Sequence, residues 1–258
     1  PPPPDRDAAR VLDAGQGPAA VAHTPEAAQL PPPRIPGRGG GSAAQRDTTP
    51  RRPGRGNEAV DRQPVSHGDI DHSGGVAEIV RDFAPRYVIS GEPLAAVSSL
   101  RCAAGQTWWS GAVRFEVLYP TPGYSEGGNE ASCVVRVSVG SHRLLLTGDI
   151  EARGERLFLQ DAESPGAEVV VVPHHGSRTS SSVPFVDAVQ PAVAIVSAAH
   201  ANRWGLPRPE VVARWEAAGA TVLHTGREGA VRIRVCATRG LVSIDRERRR
   251  RHRVWHAD

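Results

Sequence analysis

The feature that most constrains folding is a pair of short apolar segments that each end in residues able to bind a metal. Residues 144–147 are apolar apart from a final Thr and lead to Asp149. Residues 170–172 are all Val and lead, after one Pro, to His174 and His175. Uninterrupted apolar runs of this length are typical of strands buried inside a sheet. We therefore predict an α/β fold whose strand ends gather polar side chains in one place.

Composition divides the chain into three parts. Residues 1–64 form a low-complexity region with one predicted strand at 10–17 and few large aliphatic residues, so we expect it to be largely disordered. Residues 65–245 have the pattern of a globular α/β domain, and residues 246–258 form a basic tail. The predicted helices are 76–83, 150–159 and 207–218, and the predicted strands are 86–90, 112–118, 133–139, 142–147, 168–172, 192–197, 221–224, 230–235 and 241–244.

The overall composition bounds the class of protein without identifying it. The chain has 258 residues and no Met, and it opens on a run of Pro, so we expect a piece of a longer protein. A net charge of +3 gives no overall field that would recruit nucleic acid. The basic run at 246–253 could contact phosphates or anionic lipid, although we favour a solvated tail. No run of about 18 apolar residues is present, so we predict no membrane span.

The cysteines carry no clear signal. Cys102, Cys133 and Cys236 are odd in number and widely spaced, and no CxxC pair is present. Neither a zinc ribbon nor a disulfide framework is indicated, and the cellular compartment cannot be read from them.

A further cluster of metal-binding residue types lies upstream of both strand ends. His67, Asp69, Asp71 and His72 fall within six consecutive positions and run into a Gly pair. Imidazole and carboxylate hold hydrolytic metals, and water activated by such a metal cleaves bonds that water alone leaves intact. A solvated loop could carry these residues by chance. Together with the strand-end Asp and His pair, however, the motif predicts a hydrolytic metal site.

In this order, the motifs resemble the metallo-β-lactamase fold and, more narrowly, the C-terminal domain of the ComEC family of DNA-uptake competence proteins. The resemblance covers residues 10–17 and 65–235, and the combination of motifs carries it. It implies an α/β fold, a metallo-β-lactamase-like four-layer αβ/βα sandwich. The matching segments are 12–17 (Leu-Asp-Ala-Gly-Gln-Gly), 66–75, 102–108 (Cys-Ala-Ala-Gly-Gln-Thr-Trp), 129–132, 147–149 (Thr-Gly-Asp), 173–177 (Pro-His-His-Gly-Ser) and 202–207 (Asn-Arg-Trp-Gly-Leu-Pro).

The resemblance implies one or two divalent metal ions in the site. Asp71, His72 and either His174 or His175 would hold one ion. We prefer His175 as the ligand, which leaves the other histidine to contact the scissile group. Asp149 would bridge the two ions. Asp71, Asp149 and His174 would take part directly in catalysis.

The second ion would face His67 and Asp69. Asp69 stands where many metallo-β-lactamases have His, and Asn129 replaces another His of the wider fold. Both changes exchange nitrogen for oxygen, and oxygen-rich sites favour Mn²⁺ or Mg²⁺ over Zn²⁺. We therefore expect Mn²⁺, with Zn²⁺ and Mg²⁺ as alternatives, and no organic cofactor. The weakened His67 side leaves single-metal occupancy open.

Further residues are expected around the ions. Those expected to support the ligands from behind or to stabilise a turn are Asp13, Asn129 and Ser132. Those expected to bind substrate are Ser177, Asn202 and Arg203. Arg203 suits a phosphate contact, although a surface salt bridge is a close alternative. Leu206 replaces a His of the family, so one substrate or proton-transfer contact is missing.

Residues 18–64 do not resemble the family, which has an apolar strand where residues 61–65 read Asp-Arg-Gln-Pro-Val. We hypothesise a shifted reading frame across this segment, because a compositional break of this kind is not a feature of a fold. The first strands of the sandwich are then degraded, and the alternative that the chain does not fold stays open. Translation of the coding DNA in the other two frames tests the hypothesis, since it requires an apolar strand–helix–strand segment in one of them.

The resemblance implies metal-dependent hydrolysis of DNA, single-stranded in the family, by metal-activated water. The parent protein would supply a transmembrane channel domain in a bacterial cell membrane, with this domain on the outer face. Another hydrolase of the fold, acting on a small phosphodiester or lactone, is one alternative. A non-catalytic DNA-binding module of a competence channel is another.

Other conspicuous residues are expected to be structural. Trp108 and Trp109 could stack on bases, but large aromatic residues mostly serve in packing. His142 and His224 lie in predicted strands without a partner motif, so we expect ordinary structural roles for them.

Overall fold

A computed structural model describes residues 8–13, as backbone, and residues 62–251. The parts of the sequence interpretation that lie outside the described residues are the end of the predicted strand 10–17, the low-complexity region up to residue 61, the basic tail from residue 252 and the side chain of Asp13.

The described residues form a mixed series of strands and helices. The strands are β1 (Ala8–Asp13), β2 (Arg62–Val65), β3 (Tyr87–Ser90), β4 (Leu100–Arg101), β5 (Thr107–Ser110), β6 (Val113–Tyr119), β7 (Val134–Val139), β8 (His142–Leu146), β9 (Val169–Val171), β10 (Val193–Val196), β11 (Thr221–His224), β12 (Val231–Cys236) and β13 (Gly240–Arg246). The helices are α1 (Ile70–Ser73), α2 (Val76–Phe83), α3 (Ala152–Asp161), α4 (Val183–Val189), α5 (Pro209–Ala217), α6 (Thr225–Glu228) and α7 (Glu247–Arg250), with 3-10 turns at Asn129–Ala131 and Pro173–Gly176.

The largest sheet has seven strands in the order β11-β10-β9-β8-β7-β6-β5. Strands β8 to β11 are mutually parallel, whereas β5 to β8 are antiparallel. Two three-stranded sheets accompany it, one formed by β1, β12 and β13 and the other by β2, β3 and β4. Because β8, β9 and β10 are parallel neighbours, the loops that follow them meet at one edge of the sheet.

Both faces of the seven-stranded sheet are buried, which explains the unbroken apolar runs in the sequence. In β9, Val169 packs in a core that also contains Ile89 of β3 and Ile233 of β12. The next residue, Val170, points to the opposite core, where it packs with Phe158 and other side chains of α3, α4 and α5. Consecutive strand residues alternate between faces, so a strand covered on both sides must be apolar at every position.

The helix α2 forms the outermost layer on the far side, where Val76 packs against Val65 of β2 and Val88 of β3. The layers therefore run from the helices α3, α4 and α5 through the seven-stranded sheet to the three-stranded sheets and then to α2. This order confirms the predicted α/β sandwich. The helix predicted at 76–83 and the strand predicted at 221–224 begin and end at the expected residues. Most of the other predicted elements begin and end within two residues of their expected bounds.

Among the elements that were not predicted from the sequence are the strand β2 and the helix α7. The strand β2 begins at Arg62, three residues before the predicted domain boundary, and pairs in parallel with β3. Its composition is polar, and the backbone ladder to β3 holds it. At the other end, the basic run continues β13 and then forms α7, where Arg248 donates to the carbonyl of Gly226 at 2.6 Å and Arg249 pairs with Glu228.

The structure corrects the interpretation of the cysteines. Cys102 and Cys133 form a disulfide, with their Cα atoms 6.1 Å apart, while Cys236 is free and buried. The pair is separated by 31 residues, and spacing alone cannot reveal such a bond.

The packing expectations for the aromatic and histidine residues are largely confirmed. Trp108 is buried and stacks on Phe115 with ring centroids 5.2 Å apart, while Trp109 is 45% exposed on the edge strand β5. His142 contacts Glu168 at 3.1 Å, as expected of a structural side chain. The Nε2 atom of His224 is buried without a hydrogen-bond partner, and nothing in the structure explains it.

Candidate metal centre

The end of β8 approaches the His67 segment so closely that only Gly fits at position 148. Its φ of 57° lies in the left-handed region, and a Cβ there would lie 2.7 Å from Cβ of Ser66 and 2.8 Å from Cβ of Ser132. The strand-end Gly therefore brings Asp149 against the upstream motif. The backbone N–H of Asp149 donates to Ser132 Oγ at 2.9 Å, which fixes the carboxylate further.

His67 is the most deeply buried of the candidate ligands, with 0% exposure. Its Nδ1 atom lies 3.2 Å from Ser66 Oγ and 3.3 Å from Ser132 Oγ. Its Nε2 atom is buried and makes no hydrogen bond, although Asp69 Oδ2 lies 3.5 Å away. An unpaired buried nitrogen is costly unless a ligand satisfies it, so this atom fits a metal ion.

His72 lies at the centre of the cluster. Its Nδ1 atom contacts Ser66 Oγ at 3.0 Å, and its Nε2 atom lies 3.2 Å from Asp149 Oδ1 and 3.4 Å from His175 Nε2. His72, Asp149 and His175 thus direct polar atoms from three separate segments towards one small volume. The helix α1, which carries Asp71 and His72, is only four residues long and holds them on the same turn.

His175 completes the cluster from the end of β9. Its Nδ1 atom donates to the carbonyl of Ser197 at 2.7 Å, which leaves Nε2 as the free ring nitrogen. That Nε2 atom lies 3.1 Å from Asp71 Oδ2 and 3.4 Å from Asp149 Oδ2. Both His174 and His175 adopt left-handed backbone conformations, with φ of 49° and 53°, and this turn separates their side chains.

Two overlapping groups of side chains could hold a metal ion. One consists of His67, His72 and Asp149, and the other of Asp71, His72 and His175, with the donor atoms of each group within 4.8 Å of one another. Imidazole nitrogens together with carboxylate oxygens are donors for divalent metals. The residues present therefore fit one or two such ions.

The electrostatics differ between the neighbouring imidazoles of His67 and His72. Burial, followed by the charge of His72, lowers the pKa of His67 below its usual value. Burial opposes protonation of His72 too, but the hydrogen bond and charge of Asp149 raise its pKa overall. For Asp149, burial is again the largest influence, yet the hydrogen bond from His72 and the neighbouring histidines lower its pKa overall. Asp149 is thus held as the carboxylate that a cation requires.

The geometry separates His174 from His175. His174 belongs to neither three-residue group among the described residues. Its Nδ1 atom lies 3.1 Å from Glu151 Oε1 and 3.3 Å from Thr179 Oγ1, while its Nε2 atom lies 3.9 Å from Asp149 Oδ2. Among the described contacts, His175 is thus part of one group that could hold a metal ion, whereas His174 lies at the edge of the cluster.

Two of the residues expected to support the ligands have different contacts. Ser132 contacts both His67 and Asp149, as a supporting residue should. Asn129 instead donates from its amide to Glu151 Oε1 at 3.3 Å, and it is in neither metal-binding group of the described residues. Asp69 is also in neither metal-binding group of the described residues, and its side chain contacts His67 in the cluster.

The residues expected to bind substrate lie in two loops beside the cluster. Ser177 Oγ contacts Thr179 Oγ1 at 3.0 Å. Asn202 bonds to the backbone of Leu206 in both directions, at 2.6 and 3.0 Å, so it holds its own loop in shape. Arg203 lies over the ring of Trp204, 4.4 Å from the centroid.

Sequence reasoning missed several residues that hold the site together. Ser66 touches both His67 and His72, and Glu92 accepts hydrogen bonds from the backbone N–H groups of Gly68 at 2.7 Å and Gly128 at 3.0 Å. Glu92 thus ties the metal-binding motif to the segment that precedes Ser132. An isolated Ser or Glu carries no spacing signal, so only its position beside the motif could have drawn attention to Ser66.

The comparisons agree with the motifs. A family model described as the metallo-beta-lactamase superfamily matches residues 36–200, so the match begins within the segment for which we expected no resemblance. Competence protein ComA of Neisseria gonorrhoeae is 34% identical over 232 residues, which cover 89% of this chain and 33% of that protein. Recombination protein 2 of Haemophilus influenzae is 33% identical over 197 residues, which cover 75% and 24% respectively.

A further relative is the Escherichia coli protein named Uncharacterized protein YcaI, 36% identical over 185 residues that cover 71% of this chain and 24% of that one. The chain thus spans between 24% and 33% of the length of these relatives. Within residues 8–13 and 62–251, no helix has the length and apolar character needed to cross a membrane. By its motifs, its fold and these matches, the chain belongs to the metallo-β-lactamase superfamily and, within it, to the ComEC family of competence proteins.

Proposed function

We propose that this chain is the metal-dependent nuclease domain of a ComEC-like DNA-uptake protein and hydrolyses the phosphodiester bonds of DNA. The observation that carries the proposal is the pair of metal-binding groups that share His72 and lie at adjoining strand ends. The names of two relatives, a competence protein and a recombination protein, support DNA as the substrate.

The ligand geometry suits hydrolysis without a protein nucleophile. A bound divalent ion supplies an activated water near neutral pH and stabilises negative charge on the phosphate. His67, His72 and Asp149 would hold one ion, and Asp71 and His175 would hold a second one that shares His72 or Asp149. The serine hydroxyls behind His67 and His72 keep both rings in orientation.

His174 is suited to contact the substrate. Glu151 and Thr179 hold its Nδ1 atom, so the ring keeps one orientation at the edge of the cluster. Its Nε2 atom, 3.9 Å from Asp149 Oδ2, is then the acceptor nitrogen of the neutral ring, and it can accept a hydrogen bond from a water bound with the substrate.

The donor set narrows the choice of ion. Three imidazoles belong to the two groups, whereas Mg²⁺ prefers oxygen ligands and water. Mn²⁺ accepts the carboxylates of Asp71 and Asp149 together with imidazole, and Zn²⁺ accepts the same set. We propose Mn²⁺ as the working ion, with Zn²⁺ as the alternative.

We further propose that the substrate is single-stranded DNA and that the parent protein's transmembrane channel domain is the partner. The disulfide between Cys102 and Cys133 supports a location on the outer face of the bacterial membrane, because such bonds persist in oxidising compartments.

Cleavage assays on the purified chain test the proposal. A labelled single-stranded oligonucleotide, methyl p-nitrophenyl phosphate and a simple lactone would each be incubated with Mn²⁺, with Zn²⁺ and with a chelator. Asp71→Asn would be compared with Asp82→Asn, since both carboxylates are similarly exposed, at 59% and 56%, but Asp82 pairs with Arg81 on α2. We expect metal-dependent cleavage of the oligonucleotide that Asp71→Asn abolishes and Asp82→Asn retains.

Each of the other outcomes would indicate a different function for the chain. Hydrolysis confined to the small diester or the lactone would identify another hydrolase of the fold. Metal-independent binding of DNA without cleavage would identify a non-catalytic module. Cleavage that persists in the chelator, or in Asp71→Asn, would refute the metal mechanism.

A further inference from the structure

The two most exposed large apolar side chains among the described residues both lie on segments that carry or contact metal-binding residues. Ile70 is 83% exposed and sits between Asp69 and Asp71, and Trp204 is 60% exposed in the loop that follows β10. An exposed aromatic ring on a loop attached to a metal-binding turn offers a flat surface on which the base of a nucleic acid can stack.

The loop that carries Trp204 is attached to the metal-binding turn at both ends. At its start, the carbonyl of Ser197 accepts a 2.7 Å hydrogen bond from His175 Nδ1. At its end, the N–H of Arg208 donates to the carbonyl of Gly176 at 2.9 Å. Between them, Asn202 bonds to the backbone of Leu206 on both its amide atoms. Trp204 is therefore presented from a fixed loop next to His175.

Arg203 places a positive charge beside Trp204, which favours an anionic ligand. Its guanidinium carbon lies 4.4 Å from the centroid of the Trp204 ring, which places a positive charge against one face of the indole. The exposed ring offers a surface for stacking, and the guanidinium offers donors for a phosphate. A nucleotide carries both matching groups, a flat base and an adjacent phosphate.

We propose that Trp204, together with Arg203, is a platform on which one base of single-stranded DNA stacks beside the scissile phosphate. This deepens the proposed function and rests on it. An unpaired base exposes its ring face to the platform, whereas the bases of a duplex are stacked on each other and are not available. The platform thus selects single strands over duplexes without reading their sequence.

Matched tryptophan variants test the platform. Trp204→Ala should raise KM for a single-stranded oligonucleotide by about 5- to 150-fold, the range that corresponds to losing one base–aromatic stack. Trp204→Phe should keep most of the affinity, because a ring remains. Trp109→Ala should match the wild type, since Trp109 is also exposed but lies on the edge strand β5 of the large sheet. The rate on methyl p-nitrophenyl phosphate should be the same for all four proteins.

Binding without metal separates this proposal from the nuclease proposal. Fluorescence anisotropy in a chelator would compare a labelled oligonucleotide with the same strand made abasic. Wild type should prefer the intact strand, and Trp204→Ala should bind both strands equally; this result supports the platform even if no cleavage is found. Equal KM and equal anisotropy for wild type and Trp204→Ala would overturn it, even if cleavage is robust. Binding of anionic lipid vesicles that depends on Trp204, with oligonucleotide binding unchanged, would also overturn it.

Discussion

The two groups of candidate ligands share His72 but differ in their surroundings. His67 and Asp149 are buried, and two serines hold the His67 ring from behind. Asp71 is 59% exposed, and His175 has one backbone carbonyl as its orienting contact on Nδ1. Both groups thus offer imidazole and carboxylate donors. In the first group the donors other than His72 are buried and held by neighbouring side chains, whereas in the second group they lie near solvent.

This difference in surroundings predicts that the two groups differ in their affinity for metal. A ligand that is already fixed loses little freedom on binding, so the buried group should bind an ion more tightly. Burial also lowers the pKa of His67 and keeps that ring neutral, which is the form that coordinates metal. The exposed group lies where substrate and water can arrive. We expect the buried group to retain metal and the exposed group to exchange it.

The largest effect should follow from removing the residue that contacts both groups. Asp149→Asn keeps the shape of the side chain but removes its charge, and His72 and His175 lose their shared carboxylate. Replacing a supporting residue behind a ligand costs roughly 10- to 100-fold in affinity or activity, so this change should exceed about 100-fold in cleavage rate. Single-turnover assays with Mn²⁺ measure it, and thermal denaturation of the metal-free variant controls for folding. A loss of less than tenfold would contradict a bridging role.

A second comparison tests the order of affinities directly. His67→Gln should abolish the tightest metal-binding step, because it removes the buried nitrogen that has no other partner. Asp71→Asn should leave one tightly bound ion and weaken a further one. Isothermal titration with Mn²⁺ and with Zn²⁺, together with elemental analysis after dialysis, gives affinity and stoichiometry. Equal effects of the two substitutions would remove the distinction between the groups.

A smaller effect should come from the serine behind the buried group. Ser132→Ala removes the acceptor for the N–H of Asp149 and the contact to His67 Nδ1. Metal affinity should fall by about 10- to 100-fold. Ser138→Ala, the same substitution on the far part of β7, is the matched control and should bind metal as the wild type does. If both variants behave alike, Ser132 has no supporting role.

The smallest effect is a difference in titration between two neighbouring rings of the metal-free protein. The raised pKa of His72 means that its stabilising pair with Asp149 is present below the unfolded value of 6.5 and is lost as pH rises through the folded value. The lowered pKa of His67 means that its neutral ring contributes stability above the unfolded value of 6.5, and this contribution is lost as pH falls from 6.5 to the folded value. Imidazole NMR spectra between about pH 5 and 8 follow both rings separately. Identical midpoints for the two rings would contradict the described environments.

The sequence predicted the parts of the site that repeat a physical pattern. Val170 and its neighbours are apolar because both faces of β9 are covered, and the residues after such a strand lie at the sheet edge, where His175 is found. Asp149 could be predicted in the same way, since an apolar strand and a Gly precede it. These inferences depend on periodicity and on strand ends, and a single sequence displays both.

The supports of the site were not predictable in this way. Glu92 acts through backbone groups 24 and 36 residues away, and a lone Glu in a loop shows no pattern that would identify such partners. Asn129 was interpreted beside the metal because of its place in a motif, whereas its amide is bound to Glu151. Long-range hydrogen bonds of this kind depend on the fold and not on local spacing.

The disulfide has a consequence for how preparations of this protein are compared. Cys133 directly follows Ser132, so its bond to Cys102 tethers the backbone from which the Ser132 hydroxyl reaches Asp149. Material produced in a reducing cytosol would carry two thiols at these positions instead. Weak metal binding in such a sample would reflect its expression host and not its sequence, so a thiol titration should accompany every measurement of metal content.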